Sequence, residues 1–246
     1  MNKEIKLNMR LKDDIFDLVK YGTKRVEIRL YDEKRKQIKE NDFISFSKVS
    51  NENKKIYAKV LKIDIYDSFN ELIKNYALEE MYFKDSSKEE LTKLFNSIYS
   101  KDEQDKYKVC AIRFIIYEKS CGIAVFNDTK LLLVKHIDGH IGMPKGHMEK
   151  GETEEETAIR EVKEETNIDA SIVSGFRKVI TYSPKPNVIK DVVFFVGISN
   201  NTDIKKQDSE ISELYFIDIN KAPSLITYDD DREAVVDSIK FYSSLE

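Results

Sequence analysis

The sequence predicts a mixed α and β protein of two domains, an α+β unit over residues 1–116 and an α/β unit over residues 117–246. Three observations point there. Strand-like and helix-like segments are mixed along the first part, whereas strand and helix alternate in the second. Charge changes sign between them: residues 1–115 hold 25 Lys and Arg against 21 Asp and Glu, and residues 116–246 hold 16 against 24. Seven of the eight glycines and all four prolines lie after residue 120. A chain of 246 residues is long enough for two domains of ordinary size.

Composition excludes several classes. Hydrophobic residues make up 41% of the chain, enough to pack a core, so it is not a disordered protein. No apolar run approaches the roughly 18 residues of a membrane span. The opening MNKEIKLNMR has no signal-peptide apolar stretch. The two cysteines, Cys110 and Cys121, form no C-x-x-C pair, which argues against structural zinc. A reduced, cytoplasmic protein with both thiols buried is the expectation.

In the first half, IKLNM (5–9) reads as a strand. LKDDIFDLVKYG (11–22) sets Leu11, Ile15, Phe16, Leu18 and Val19 on one helical face and stops at Gly22. RVEIRL alternates like a strand. DFISFSKV and KIYAKVLKIDIY are two more, with NENKK expected as the turn between them. Residues 67–98 read as helical, and KVCAIRFIIY (108–117) as a buried strand.

In the second half, CGIAVFN and KLLLVKH are strands. Thr153 and Glu156 form a capping box, so a helix should run from Glu154 to about Thr166 and end at Asn167, a residue that tolerates the left-handed conformation. Strands near 171–182, 189–197 and 213–219 follow. A closing helix over 229–243 turns Ala234, Val235, Ile239 and Tyr242 inward.

The densest chemistry lies in GMPKGHMEKGETEEETAIREVKEETNI, residues 142–168. Like charges three or four apart on a helix repel by a few tenths of a kcal/mol. At about 100° per residue, Glu161, Glu164 and Glu165 share one face, beside an apolar face of Ala158, Ile159 and Val162. Clustered carboxylate oxygens suit a hard cation, Mg²⁺ or Mn²⁺, which would turn repulsion into attraction. Gly146 and Gly151 let the preceding loop approach a ligand closely, and Lys145 and His147 lie in the same loop. The arrangement reads as a metal-assisted site for a phosphate-rich substrate. The bland alternative is a solvated acidic helix face.

The stretch resembles the signature of the Nudix hydrolases, G-x5-E-x7-R-E-U-x-E-E-x-G-U with U aliphatic. Gly146, Glu152, Arg160, Glu161, Val162, Glu164, Glu165 and Ile168 match it; Asn167 stands where the motif has glycine. The resemblance implies an α/β/α sandwich over about 117–246 and hydrolysis of a nucleoside diphosphate linked to another moiety. It implies metal ligands among Glu161, Glu164, Glu165 and the Gly146 carbonyl, with Glu152 and Arg160 holding loop to helix. A further ligand outside the motif is expected at Glu210, with Glu213 as competitor. Glu164 is the expected general base.

Within that family, PKGHMEKGE, EKSCGIAVFN, LLLVKH and TYDDDRE look like diadenosine tetraphosphate hydrolases. By that analogy Lys145, His147 and Lys190 would meet the polyphosphate of a nucleotide substrate, and Tyr182 or Phe194 would stack on a base. Core packing is the alternative for Phe194 and Phe195. Pro184 lies 16 residues past the motif, near where ADP-ribose hydrolases carry a proline, which keeps that substrate as an alternative. RNA 5′-end pyrophosphate hydrolysis is another.

YGTKRVEIRL, with Gly22, Lys24, Glu27 and Arg29, resembles the G-x-K-x-x-E-x-R signature of ASCH domains, whose β-barrel is related to PUA domains. Residues 1–60 carry 16 Lys and Arg against 10 Asp and Glu, which suits RNA or nucleotide binding. Some ASCH relatives are amidohydrolases using a lysine, a threonine and a glutamate, but Thr23 precedes the lysine here. The bland reading of Lys24, Glu27 and Arg29 is a surface ion-pair ladder.

Overall fold

The first strand, β1 (Ile5–Leu11), alternates exposed and buried positions and delivers Met9 and Leu11 to a core. The computed structural model describes residues 4–83 and 86–245. Helix α1 (Asp13–Lys20) buries Phe16 and Val19, and Gly22 follows it with φ 72°. After β2 (Val26–Leu30) come β3 (Phe43–Lys48) and β4 (Asn51–Tyr66). The turn between β3 and β4 is Val49–Ser50, since Lys48 pairs with Asn51. NENKK is therefore strand, because a two-residue turn already closes the hairpin. Four short helices follow: α2 (Phe69–Asn75), α3 (Leu78–Met81), α4 (Lys88–Ile98) and α5 (Lys101–Tyr107). Ser87 and Ser100 each close a capping box, which explains the separate starts of α4 and α5.

β5 (Val109–Asn127) is one 19-residue strand where two were expected. The chain divides into two compact units, one running to Glu118 and including Ser183–Ile189, the other Lys119–Tyr182 with Lys190 onward. Excursion of 183–189 into the first unit carries no periodic signal.

In the first unit the strands run β1-β3-β4-β5-β2. Apolar residues fill both faces, Met9, Phe46 and Ile112 on one and Val26, Phe69 and Ala111 on the other. The expected barrel is not closed: among the described residues β2 pairs only with β5. Instead the Arg29 guanidinium reaches the Arg10 carbonyl at 3.5 Å, a side-chain bridge where a closed barrel would have a ladder.

The second unit continues with β6 (Lys130–His136), β7 (Ile141–Gly142), β8 (Lys145–His147), α6 (Glu154–Thr166), β9 (Ser171–Tyr182), β10 (Val188–Ile198), β11 (Ile211–Asp218), α7 (Ala222–Leu225) and α8 (Asp229–Ser243). β9 and β10 pair antiparallel, β10 neighbours β5, and β6 joins β5 to β11. Alternation along β5 builds two layers. Cys121, Ile123 and Val125 pack under Ala158 and Val162 of α6, while Ala124 and Phe126 pack under Ala234 and Val235 of α8. The layers are helix, sheet, helix, the expected sandwich. Both cysteines are free and buried, and burial pushes both thiols up to about 12. No helix among the described residues is long and apolar enough to cross a membrane.

Candidate active site

Helix α6 starts and stops where its residues dictate. The Thr153 hydroxyl accepts from the Glu156 amide at 3.1 Å, and the Glu156 carboxylate accepts from the Thr153 amide at 2.7 Å. Asn167 ends the helix with φ 63°. The first turn is anchored by Glu154, buried between two cations. It accepts from Arg177 at 2.7 and 2.8 Å and pairs with Lys119, and Arg177 above all holds its carboxyl down to about 2. Ala158 and Val162 face inward as expected, but Ile159 is exposed. It lies one step round from Ala158, and Glu165 takes the inner edge instead.

Arg160 ties the loop to the helix. Its Nε donates to Glu152 Oε1 at 2.6 Å and a terminal nitrogen to Glu152 Oε2 at 3.0 Å. It also donates to the His147 carbonyl at 2.9 Å, Glu161 at 2.8 Å and Glu164 at 3.0 Å. These bonds hold the Glu152 carboxyl down to about 2. Arg160 thus bonds to both the loop and the helix, with Glu152 as its loop partner.

The Gly146 backbone lies against Glu161. A Cβ built there would fall 2.0 Å from a Glu161 carboxylate oxygen, so only glycine fits. Glu161 is half-buried, and burial raises its pKa against the pull of Arg160. Glu165 is 2% exposed and accepts from the Lys145 amide at 3.0 Å. Burial pushes its carboxyl up to about 8; the Lys145 charge opposes this, and Glu161 and Glu210 add to it. Glu164, with 52% of its side chain exposed, turns toward Arg160 and solvent.

Glu210 lies near this face through its charge, and its carbonyl accepts from the Ile137 amide at 3.0 Å. The segment before it is tied to the end of α6 by bonds from Lys205 to Thr166 and from Gln207 to Glu165. The competitor, Glu213, pairs with Lys135 at 2.7 Å and with Tyr215 instead.

Among the described residues no three His, Cys, Asp or Glu side chains converge into one coordination sphere. The expected set of Glu161, Glu164, Glu165 and Glu210 is therefore not assembled as a cage. Arg160 takes Glu161 and Glu164 as partners, which turns both toward its guanidinium. The chemistry of the set still fits a hard divalent cation. Glu161 and Glu165 are carboxylates whose burial disfavours their charge, beside a glycine that admits close approach.

Lys145 and His147 lie on β8, opposite Gly122 and Ser120. Lys190 sits across from Tyr182 at the end of the β9–β10 ladder, and Tyr182 packs partly into the α8-side core. Phe194 departs from expectation. It is fully buried in that core, and Phe195 is buried in the opposite one, so neither can meet a base. At these two residues both faces of β10 are covered by packed core.

Sequence reading missed a polar cluster beside Lys145. His136 and His140 stack with ring centroids 4.0 Å apart, and Tyr228 lies 5.7 Å from His140 with its ring largely exposed. Burial holds His136 down to about 4, so its ring is neutral near pH 7. Asp231 is buried next to Gly142, near the charges of Lys145, His140 and Lys190. The H-x3-H spacing was visible, but some 90 residues separate it from Tyr228, and no local pattern links them.

In the first unit Lys24 and Glu27 are 5% and 1% exposed, which overturns the surface ladder. The Lys24 ammonium donates to the Val26 carbonyl at 2.7 Å and lies 3.4 Å from Glu27, and Arg29 pairs with Glu27 as well. Burial lowers the Lys24 pKa. These charges face one another because β2 is covered on both sides.

An ASCH-domain model matches residues 9–118 and a Nudix-domain model residues 117–238. An ADP-ribose pyrophosphatase of Methanocaldococcus jannaschii is 30% identical over 139 residues, covering 54% of this chain and 80% of that one. The chain belongs to the Nudix hydrolases. The Nudix fold thus follows an ASCH domain, and the protein is a hydrolase acting on acid anhydrides. Nudix hydrolases generally use divalent metals such as Mg²⁺ or Mn²⁺. The asymmetrical bis(5′-nucleosyl)-tetraphosphatase of Rattus norvegicus is 28% identical over 142 residues, 51% of this Nudix chain and 96% of the rat protein. A putative mutator protein MutT4 of Mycobacterium tuberculosis is 35% identical over 92 residues; the match spans 37% of each protein.

Proposed function

We propose that this Nudix hydrolase cleaves dinucleoside polyphosphates, of which diadenosine tetraphosphate is the type, into a nucleoside triphosphate and a nucleoside monophosphate. One observation carries the reading: the stacked, partly buried rings of His136 and His140 and the exposed ring of Tyr228 lie beside Lys145, whose own amide binds the buried Glu165. A base platform is thereby continuous with a phosphate site and a carboxylate helix.

Glu161, Glu164, Glu165, Glu210 and the Gly146 carbonyl are the groups that would hold Mg²⁺ or Mn²⁺. Bound there, the cation would neutralise phosphate charge and acidify the attacking water. Lys145 and Lys190 bind the polyphosphate chain, with His147 at the loop edge. Tyr228 and His140 stack on a base, and Tyr182 is placed for a second. Glu164 is the most solvent-reachable of the three helix glutamates and takes the proton from water. Arg160 and Glu152 keep the loop on the helix.

We assign RNA or nucleotide binding to the ASCH domain, supported by the excess of basic residues over 1–60. Because Lys24 is buried and spent on internal partners, the exposed basic residues would carry that binding.

Product analysis tests the main reading. With Mg²⁺, the protein should release ATP and AMP from diadenosine tetraphosphate, and Glu164→Gln should slow this. Pyrophosphate released from 5′-triphosphorylated RNA, with the dinucleotide untouched, would replace it with RNA end processing.

A further inference from the structure

Helix α8 opens with three acids, and one of them differs from the others. Asp229 and Asp230 are exposed, as acids at a helix N-terminus usually are. Asp231 is 6% exposed, yet it makes no hydrogen bond among the described residues. An ionised carboxylate has about four acceptor positions, and no donor of the described residues fills them here. Stabilising the helix dipole does not require burial of the side chain, so the position is open to a donor from outside the chain.

Its surroundings say what kind. One carboxylate oxygen lies over the Gly142 backbone, 3.6 Å from where a Cβ would stand. Burial disfavours the ionised form of Asp231 and Asp230 adds to this, while the charges of Lys145, His140 and Lys190 favour it. Tyr228 precedes the helix, three residues before Asp231, and its ring and the Asp231 carboxylate both lie near His140. A flat base stacked on the exposed Tyr228 ring, with the tilted His140 ring at its side, would present an edge to Asp231.

We propose that Asp231 is a specificity-determining residue that accepts from the paired N–H donors of guanine, so that a guanosine end is preferred on the Tyr228–His140 platform. This rests on the dinucleoside polyphosphate reading. Guanine offers N1–H and the 2-amino group side by side, two donors for two carboxylate oxygens. Adenine offers one donor, its 6-amino group, next to the N1 lone pair, which a carboxylate oxygen repels. Hypoxanthine keeps N1–H but lacks the 2-amino group. The order expected is therefore guanine, then hypoxanthine, then adenine.

The test compares kcat/KM for diguanosine, diinosine and diadenosine tetraphosphates with the full chain and Mg²⁺, for wild type, Asp231→Asn and Tyr228→Ala. Wild type should favour diguanosine over diadenosine tetraphosphate by roughly tenfold, as expected for a charge-assisted bond made to one base and not the other. Asp231→Asn presents one donor and one acceptor, which matches adenine, and should reverse the order. Tyr228→Ala should slow all three while leaving the order intact, because stacking tolerates any base. Thermal melts of both variants check that they fold. Guanine and adenine within twofold in wild type, or an order unmoved by Asp231→Asn, would overturn the assignment. So would an unmoved base order with altered discrimination against 2′-deoxy substrates, which would place Asp231 on the ribose. If no dinucleotide is cleaved while ADP-ribose is, the substrate reading itself fails, and the assignment to guanine falls with it.

Discussion

Glu165 gives the most direct physical prediction. Its ordinary pKa is 4.5, and burial beside Glu161 and Glu210 raises it to about 8. The folded state therefore holds this proton more tightly than the unfolded chain. Stability from that proton is fully present below pH 4.5 and is lost as pH rises through about 8. At 1.36 kcal/mol per pH unit, the rise corresponds to roughly 5 kcal/mol above pH 8, and roughly 3 kcal/mol at pH 7. Glu165→Gln removes the ionisation while keeping an oxygen for the Lys145 amide. In chelator-treated protein the variant should gain on wild type steadily from pH 5 to pH 8.5, by a few kcal/mol. Urea denaturation of both proteins across that range measures the difference, and opposing carboxylates such as Glu152 and Glu154 cancel in it. Mg²⁺ should then stabilise wild type and not the variant. A difference that stays flat with pH, or a variant less stable at pH 8.5, would refute the view that burial of charge dominates at Glu165.

Other substitutions test separate parts of the site. Gly146→Ala forces a methyl group into Glu161 and should lower kcat/KM by at least about 100-fold, measured at saturating metal, because displacement of about 1 Å at the chemistry has that effect. Phe194→Ala should destabilise by about 3–5 kcal/mol in urea while leaving the ratio of KM values between nucleotides unchanged, since Phe194 is core and touches no base. Glu154→Gln weakens the buried pair with Lys119 and the bonds from the more exposed Arg177, and should destabilise by about 1–3 kcal/mol at pH 7. Its folded pKa of about 2 means that the wild-type advantage is present above pH 4.5 and fades as pH falls toward 2, which denaturation at pH 7 and pH 3 would show.

Local rules alone determined much of this protein. The capping residues Thr153 and Glu156, the apolar pair Ala158 and Val162 and the terminal Asn167 fix α6, because each acts within one or two turns of its neighbours. The resemblance implied that Glu152 and Arg160 join loop to helix beside Gly146, and the structure puts Glu152 in contact with Arg160 and Gly146 against Glu161. The tertiary structure decided what depends on partners far away. It buried Phe194 and Phe195 on opposite faces of one strand, because helices cover both sides of the sheet. It left the first sheet open and turned Lys24 and Glu27 inward, which an eight-residue motif cannot encode. It brought Tyr228 and Asp231 beside His140 and Lys145 by folding α8 back over the sheet. A side chain's own sequence neighbours set its backbone conformation, but whether it meets water, core or substrate is set by the surface that packs against it.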